Sequence, residues 1–400
     1  MIRKEGRKGG SSREKASCVR RARRGGAGMS PEKNGRELRR VNRNRIFRLV
    51  HRHERISQQE IARQLGLSLP TVAQNLKALQ EEGLVAENGA FASTGGRRAR
   101  GISCIRDARL AVGLDITRSH ISAVLTDLGG AIVNSLRVSV PFRYEEGYFR
   151  RLGQAAAQVA AGVEPGRLLG AGVSVPGIVS ADGAHIPRSH VLGFRSGESR
   201  DFTRFLPCPG SLCNDASAAG KAELWGLEGV QNMVYLSLSN SVGGAILLGG
   251  RLYEGENRRA GEFGHMTLFP GGRPCYCGKR GCLDAYCSAE RLSAPYGGEL
   301  PAFFRALEQG ETAAAALWQE YLESLAAAVN SLRMAFDCTV ILGGYVGAYL
   351  EPYMGELRRL AAGRSTFEDG AAYLQPCRYK REAAAVGASL LYIEPFMESI

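Results

Sequence analysis

The chain has 400 residues, enough for two or three domains, with an apolar fraction of 44% that is ordinary for a globular protein and no apolar run of membrane-spanning length. Its charged N-terminus leads into no apolar segment, and ten mostly scattered cysteines fit a reducing compartment, so the reading is a cytoplasmic protein without leader, anchor or disulfide framework. A net charge of +13, concentrated before about residue 101, calls for an anionic partner.

From Met1 to Gly28 the chain is largely Arg, Lys, Gly and Ser and cannot bury a core, so residues 1–33 are expected to form a disordered basic tail. A winged helix-turn-helix is expected over 34–101. Leu38, Val41, Ile46, Leu49 and Val50 form a helical stripe, Ser57-Gln58-Gln59-Glu60 reads as a capping box for a second helix that stops at Gly66, and Ser68 with Pro70 starts a third. In that third helix Val72, Leu76 and Leu79 face inward, and Gly83 ends it. Asn88-Gly89 between Leu84-Val85-Ala86 and Ala90-Phe91-Ala92 predicts a two-residue hairpin as the wing. Ser68, Thr71, Gln74, Asn75 and Lys77 are the candidates for contact with DNA in the major groove, and Arg97 and Arg98 for the backbone or minor groove. One such module reads little sequence, so a dimer or tetramer on a palindromic operator is expected.

After Arg106 the texture turns to Ala, Gly, Val and Leu, which marks a boundary and opens an α/β region over 106–400. Strands are predicted at Leu110–Ile116, around Ile121–Leu125 and from Ile132, separated by Thr117-Arg118-Ser119-His120 and Gly129-Gly130. The plan repeats at Val234–Leu238, Ala245–Leu248 and Leu252-Tyr253, around Ser239-Asn240-Ser241 and Gly249-Gly250. Further strands at Gly170–Val175 and Thr339–Leu342 and helices at Tyr148–Ala161 and Glu311–Phe336 complete two similar lobes, 106–222 plus a C-terminal helix from 383, and 223–382, with a cleft between them. Asn214-Asp215 stands directly before a helix, where the carboxylate either caps it or accepts a hydrogen bond or proton from a sugar hydroxyl.

Between Gly261 and Cys287, His265, Cys275, Cys277 and Cys282 offer one imidazole and three thiolates within a Gly- and Pro-rich loop, the ligand set of a closed structural zinc site; the alternative is a group of buried reduced cysteines. Cys287 is left over. Such a loop would take folding energy directly from the metal.

Together with the winged helix and Ser93-Thr94-Gly95-Gly96-Arg97-Arg98, the motifs Val175-Pro176-Gly177, Asn214-Asp215-Ala216, Gly261-Glu262-Phe263-Gly264-His265 and Cys275-x-Cys277-Gly-x-x-Gly-Cys282-x-Asp284 resemble the repressor, open-reading-frame and kinase (ROK) family of sugar-responsive regulators and sugar kinases. The resemblance implies a two-lobed actin-like, hexokinase-like (ribonuclease H-like) domain with a structural zinc loop. It further implies a sugar pocket lined by Asn214, Asp215, Glu262, His265 and Asp284, where Asp284 replaces the family's usual Glu. Kinases of the family carry glycine-rich phosphate turns. Here Asp115-Ile116-Thr117-Arg118-Ser119-His120 and Ser239-Asn240-Ser241 put side chains in those places, so ATP is not expected as a cofactor. The resulting expectation is a sugar-modulated repressor of carbohydrate-use genes, with a sugar kinase using Asp215 as base kept as the alternative.

Overall fold

The computed structural model describes residues 31–90, 100–227 and 229–400. The expected tail as far as Ser30, and Arg97 and Arg98, lie outside the described residues.

The N-terminal module contains α1 (Pro31–Arg52), β1 (Ile56–Ser57), α2 (Gln58–Leu65), α3 (Leu69–Glu81), β2 (Val85–Ala90) and β3 (Arg100–Cys104). Local signals place the helix ends. The Ser57 hydroxyl accepts from the Glu60 amide, Gly66 closes α2 in the left-handed region at φ 65°, and Ser68 accepts from the Thr71 amide. The capping box does not close, because the Glu60 carboxylate takes Arg63 and Gln64 instead. Ile46, Phe47, Val50, Ile61, Val72, Leu76 and Leu79 form the core, whereas Leu38 and Val41 are 61% and 45% exposed, so the stripe on α1 is covered only in its C-terminal part.

The wing differs from its expected form. β2 runs through Asn88-Gly89 without turning back, and its partner is β3, in antiparallel register from Val85↔Cys104 to Ala90↔Arg100, with Asn88 and Gly89 forming a bulge. β3 also pairs with β1, through Ile56↔Ile102. Val85, Ile56 and Ile102 are all buried, and burying them sets a register that the local turn preference of Asn-Gly does not override.

The first lobe contains β4 (Leu110–Ile116), β5 (His120–Asp127), β6 (Ile132–Ser139), α4 (Glu146–Val159), β7 (Leu168–Val175), β8 (His185–Ser189), β9 (Phe194–Glu198), α5 (Ser199–Thr203), β10 (Gly210–Asn214) and α6 (Asp215–Trp225). The second contains β11 (Met233–Leu238), β12 (Val242–Leu248), β13 (Arg251–Leu252), α7 (Asp284–Cys287), α8 (Ala289–Ser293), α9 (Leu300–Glu308), α10 (Thr312–Phe336), β14 (Thr339–Gly343), α11 (Gly344–Gly347), α12 (Met354–Ala362) and β15 (Leu374–Pro376), and α13 (Ala383–Ser399) follows. The sheet orders β10-β7-β4-β5-β6 and β13-β12-β11-β14-β15 are the same arrangement twice: an antiparallel meander with two parallel strands added beside its first strand.

Two helices join the lobes. α13 lies on the first sheet, where a Cβ on Gly113 or Gly172 would come within 1.8 or 1.9 Å of the Ala385 or Ala388 carbonyl oxygen. On α13 itself, a Cβ at Gly387 would stand 1.7 Å from the Ala218 carbonyl oxygen of α6. The far side of α6 rests on the second sheet at Gly220, against Ala245 and Tyr235, so this helix belongs to both lobes. Further along α13, Leu390, Ile393, Met397 and Ile400 share one apolar cluster with Ile46, Phe47 and Val50 of the N-terminal module.

Candidate functional site: an interlobe cavity beside a thiolate-rich loop

A cavity of about 780 Å³ opens between the lobes, a size typical of small-molecule sites. One wall is the turn from β10 into α6. Asn214 is the cap of α6: its Oδ1 accepts from the Ser217 amide at 2.9 Å, while its Nδ2 donates to the Gly177 carbonyl at 3.1 Å and to Asp215 Oδ1 at 3.0 Å. The capping role therefore falls to Asn214, which leaves the Asp215 carboxylate facing the cavity. Burial raises the pKa of Asp215, opposed by backbone amides at the helix start and reinforced by the nearby Glu262 carboxylate.

The opposite wall is built by Gly261-Glu262-Phe263-Gly264-His265. Both glycines are forced by contact with β12: a Cβ on Gly261 would stand 2.4 Å from the Gly244 carbonyl oxygen, and one on Gly264 2.1 Å from that of Val242. Phe263 is buried against Gly244, which fixes the loop and presents Glu262 and His265 to the cavity. Four of the five candidate sugar residues, Asn214, Asp215, Glu262 and His265, thus line one space.

Asp284 does not. It is 6% exposed at the start of α7, its Oδ1 accepts from the Val242 amide at 2.6 Å, and burial pushes its pKa up to about 6. Its carboxylate ties β12 to the start of α7 and does not line the cavity. The cavity also gathers residues that no local motif marks: Arg188 and His190 from the β8–β9 excursion, Lys221 from α6, and Tyr276 and Lys279 from the thiolate loop.

The ligand atoms of His265, Cys275, Cys277 and Cys282 all lie within 4.8 Å of one another. Cys277 Sγ and Cys282 Sγ are 3.8 Å apart, and Cys275 Sγ is 3.9 Å from His265 Nδ1. A tetrahedron with Zn–S bonds of about 2.3 Å has edges of about 3.8 Å, so this donor set fits zinc in both chemistry and spacing. His265 Nε2 faces the Tyr276 hydroxyl at 3.2 Å, leaving Nδ1 for the thiolate side.

The two altered turns meet at the far side of Asp215. With Lys380 and Arg381 they line a small, open-sided space of about 60 Å³. Tyr345 lines this space beside Thr117, whose hydroxyl donates to the His120 carbonyl at 3.2 Å, and the Tyr235 hydroxyl accepts from the Gly344 amide at 3.1 Å. Gly344 itself, at φ 78°, lies so close to Leu238 and Ser239 that packing alone requires a glycine there. Asp115, hydrogen-bonded by Ser174 at 2.9 Å, is pushed up to about 7, by burial first and the Asp215 charge second.

On α3, Ser68, Gln74 and Lys77 are exposed and Thr71 is half-buried. Asn75 differs from them: it is 9% exposed and its Nδ2 donates to the Thr71 carbonyl of its own helix at 2.7 Å.

Comparison with known proteins matches this architecture. Residues 39–86 match a winged helix-turn-helix DNA-binding model and residues 111–394 the ROK family model. A xylose repressor of Bacillus subtilis (strain 168) is 28% identical over 265 residues, covering 64% of this chain and 67% of the relative. An N-acetylmannosamine kinase of Escherichia fergusonii is 34% identical over 193 residues, covering 46% of this chain and 64% of the relative. A crystal structure of a ROK family transcriptional regulator, a homologue of the E. coli MLC protein, superposes with a TM-score of 0.69 at 18% identity and covers 90% of this chain and 97% of its own, which extends the fold match over module and lobes together. The chain belongs to the ROK family and carries a winged helix-turn-helix module ahead of the family domain.

Proposed function

We propose that this protein is a transcriptional repressor whose hold on DNA is set by a sugar bound in the interlobe cavity. The observation that carries this reading is the continuity of α13. One stretch of the helix is in contact with α6, which begins at the cavity, and its last turns share a core with α1 of the DNA-binding module. A ligand that draws Asp215 and Glu262 together changes how the lobes close on α6 and α13, and α13 carries that change to α1. Binding shifts the equilibrium only by its difference in affinity for the two arrangements. Ser68, Thr71, Gln74 and Lys77 of α3 supply the DNA contacts, and a dimer or tetramer supplies paired half-sites.

Zinc, when bound by His265, Cys275, Cys277 and Cys282, would supply a rigid clip for a loop whose own pairing is limited to the isolated bridges Thr267↔Cys282 and Pro274↔Arg280 and single helical turns at its ends. The chain's own residues then position the sugar: Asn214 orients Asp215, Phe263 sets Glu262, and Tyr276 orients His265.

The test is to select bound fragments of the source genome and measure their affinity by fluorescence anisotropy across a panel of pentoses, hexoses and N-acetylhexosamines. A sugar-dependent change that Asp215→Asn removes supports the reading; no change with any sugar in zinc-loaded protein sinks the effector half. A second reading, sugar kinase, is favoured by the Asp215 carboxylate, whose burial suits it to proton abstraction. The side chains of Arg118 and Asn240, at turns where kinases of the family carry glycines, oppose it. ATP turnover on any sugar of the panel, lost in Asp215→Asn, would establish the kinase.

A further inference from the structure

Arg188 of β8, in the cavity wall, stands directly opposite Arg195 of β9 in the antiparallel register of that ribbon. We propose that this arginine pair recognises a carboxylate and that the ligand is an acidic disaccharide. One ring lies at Asp215 and Glu262, and a second, uronic acid ring lies along His190 and Tyr276 with its carboxylate on Arg188 and Arg195; this rests on the cavity being a sugar site.

Charge is the first argument. Side chains of a directly opposed pair share one face of the ribbon, where two like charges repel each other. Both arginines are exposed, and among the described residues neither guanidinium has a carboxylate partner. The one carboxylate of the ribbon, Glu198, is taken by His185 Nδ1 at 3.0 Å. The two charges reach the cavity: desolvation first, then Arg188, His265 and Arg195, hold the His190 pKa below its ordinary 6.5, with Glu262 opposing. Elsewhere in the wall Arg258 is matched by Glu254 and Lys221 by Glu394, whereas Arg259 forms no ion pair among the described residues. The excess around the cavity is therefore positive, and two adjacent guanidinium groups with free N–H donors suit the two oxygens of a carboxylate.

Room and surface are the second argument. A cavity of about 780 Å³ lies in the upper part of the range of about 300–1,000 Å³ that encloses drug-sized molecules, enough for two sugar rings. Asp215 and Glu262 account for one of them. For the other, Tyr276 lies 57% exposed in the cavity wall, with its hydroxyl held 3.2 Å from His265 Nε2 and its ring 6.3 Å from that of His190. An uncovered tyrosine ring offers an apolar face to the C–H face of a pyranose while its hydroxyl stays in polar surroundings. A uronic acid has the matching build, with an apolar ring face and a carboxylate at the ring edge. A neutral second ring would leave both arginines unmatched.

Isothermal titration of the zinc-loaded protein tests the proposal with matched sets: the glucosyl and glucuronosyl derivatives of glucose, xylose and N-acetylglucosamine, the methyl esters of the three acids, and glucose beside glucose 6-phosphate. At least one acid is expected to bind about tenfold or more tighter than both its neutral parent and its methyl ester, with an advantage that shrinks as salt rises. In an Arg188→Gln, Arg195→Gln double variant that advantage is expected to vanish while the neutral parent binds as before. Both positions are exposed and the change relieves a like-charge pair, so the variant should melt no lower than the wild type. Neutral disaccharides that bind with no acid tighter overturn the carboxylate site and leave the sugar reading standing. An acid advantage that survives in the double variant overturns the assignment to the arginine pair. Glucose 6-phosphate gaining the same factor over glucose, and losing it in the double variant, also overturns the proposal, in favour of a single phosphorylated ring. No binding by any of these ligands removes the sugar reading itself and the proposal with it.

Discussion

Lys221 Nζ donates to Glu394 Oε2 at 3.1 Å, tying α6, which begins at the cavity, to α13, which ends in the DNA-binding module. Less than a turn further along α13, the Met397 carbonyl accepts from Asn44 Nδ2 at 2.5 Å. The proposed route from ligand to DNA would run from α6 through α13 to α1 by these two polar contacts.

Glu394→Gln tests that route. Both partners are partly exposed, so the pair stabilises the fold by about 0.5 kcal/mol or less. The expected phenotype is in coupling: operator affinity without sugar stays within about twofold, whereas the change produced by sugar falls by a larger factor. Equal sugar effects in wild type and variant would assign the coupling to the apolar contact alone.

Gly387→Ala probes the apolar contact. The added methyl meets the Ala218 carbonyl oxygen at 1.7 Å, a backbone atom that moves only with its helix, so a loss of about 3 kcal/mol is expected in urea unfolding. Gly355→Ala in α12 is the control, since nothing lies within 4 Å of its Cβ, and it should be neutral or stabilise by up to about 1 kcal/mol.

Cys277→Ser removes one thiolate of four. Metal analysis is expected to give one zinc per wild-type chain and a marked loss in the variant, together with a lower Tm and a weaker sugar-induced thermal shift, because His265 belongs to both the metal cluster and the cavity wall. Full zinc content in Cys277→Ser would mean that the site does not need this thiolate.

His51 makes the docking of the module sensitive to pH. Its Nε2 is 3.0 Å from the Leu128 carbonyl and its ring meets Trp225 edge-on at 6.2 Å. Burial is the main cause that lowers its pKa below the ordinary 6.5; the Leu128 bond and Asp127 oppose this, while Arg106 and Arg52 add to it. A histidine with a depressed folded pKa is neutral when docked, so its contribution is present above the unfolded value and is lost as pH falls through the folded one. Stability measured by thermal melts is expected to drop below about pH 6.5, less steeply in His51→Gln.

The sequence by itself determined whatever depends on neighbours along the chain. Caps at Ser57 and Ser68, the left-handed Gly66, the strand Leu110–Ile116 and the duplicated meander follow from periodicity and turn chemistry, and His265, Cys275, Cys277 and Cys282 fall in one loop short enough to bring their ligand atoms together. Tertiary structure decided the rest. Ile102 and its buried partners overrode Asn88-Gly89 in the wing, Asn75 turned back onto Thr71, and Asp284 was taken by the Val242 amide and withdrawn from the cavity. Arg118, Lys380 and Arg381 come together only because the first turn and the entry to α13 are folded against each other across the cleft. Spacing along a chain carries local geometry, whereas the side of a wall on which a side chain ends is set by burial and by hydrogen bonds to residues far away in sequence.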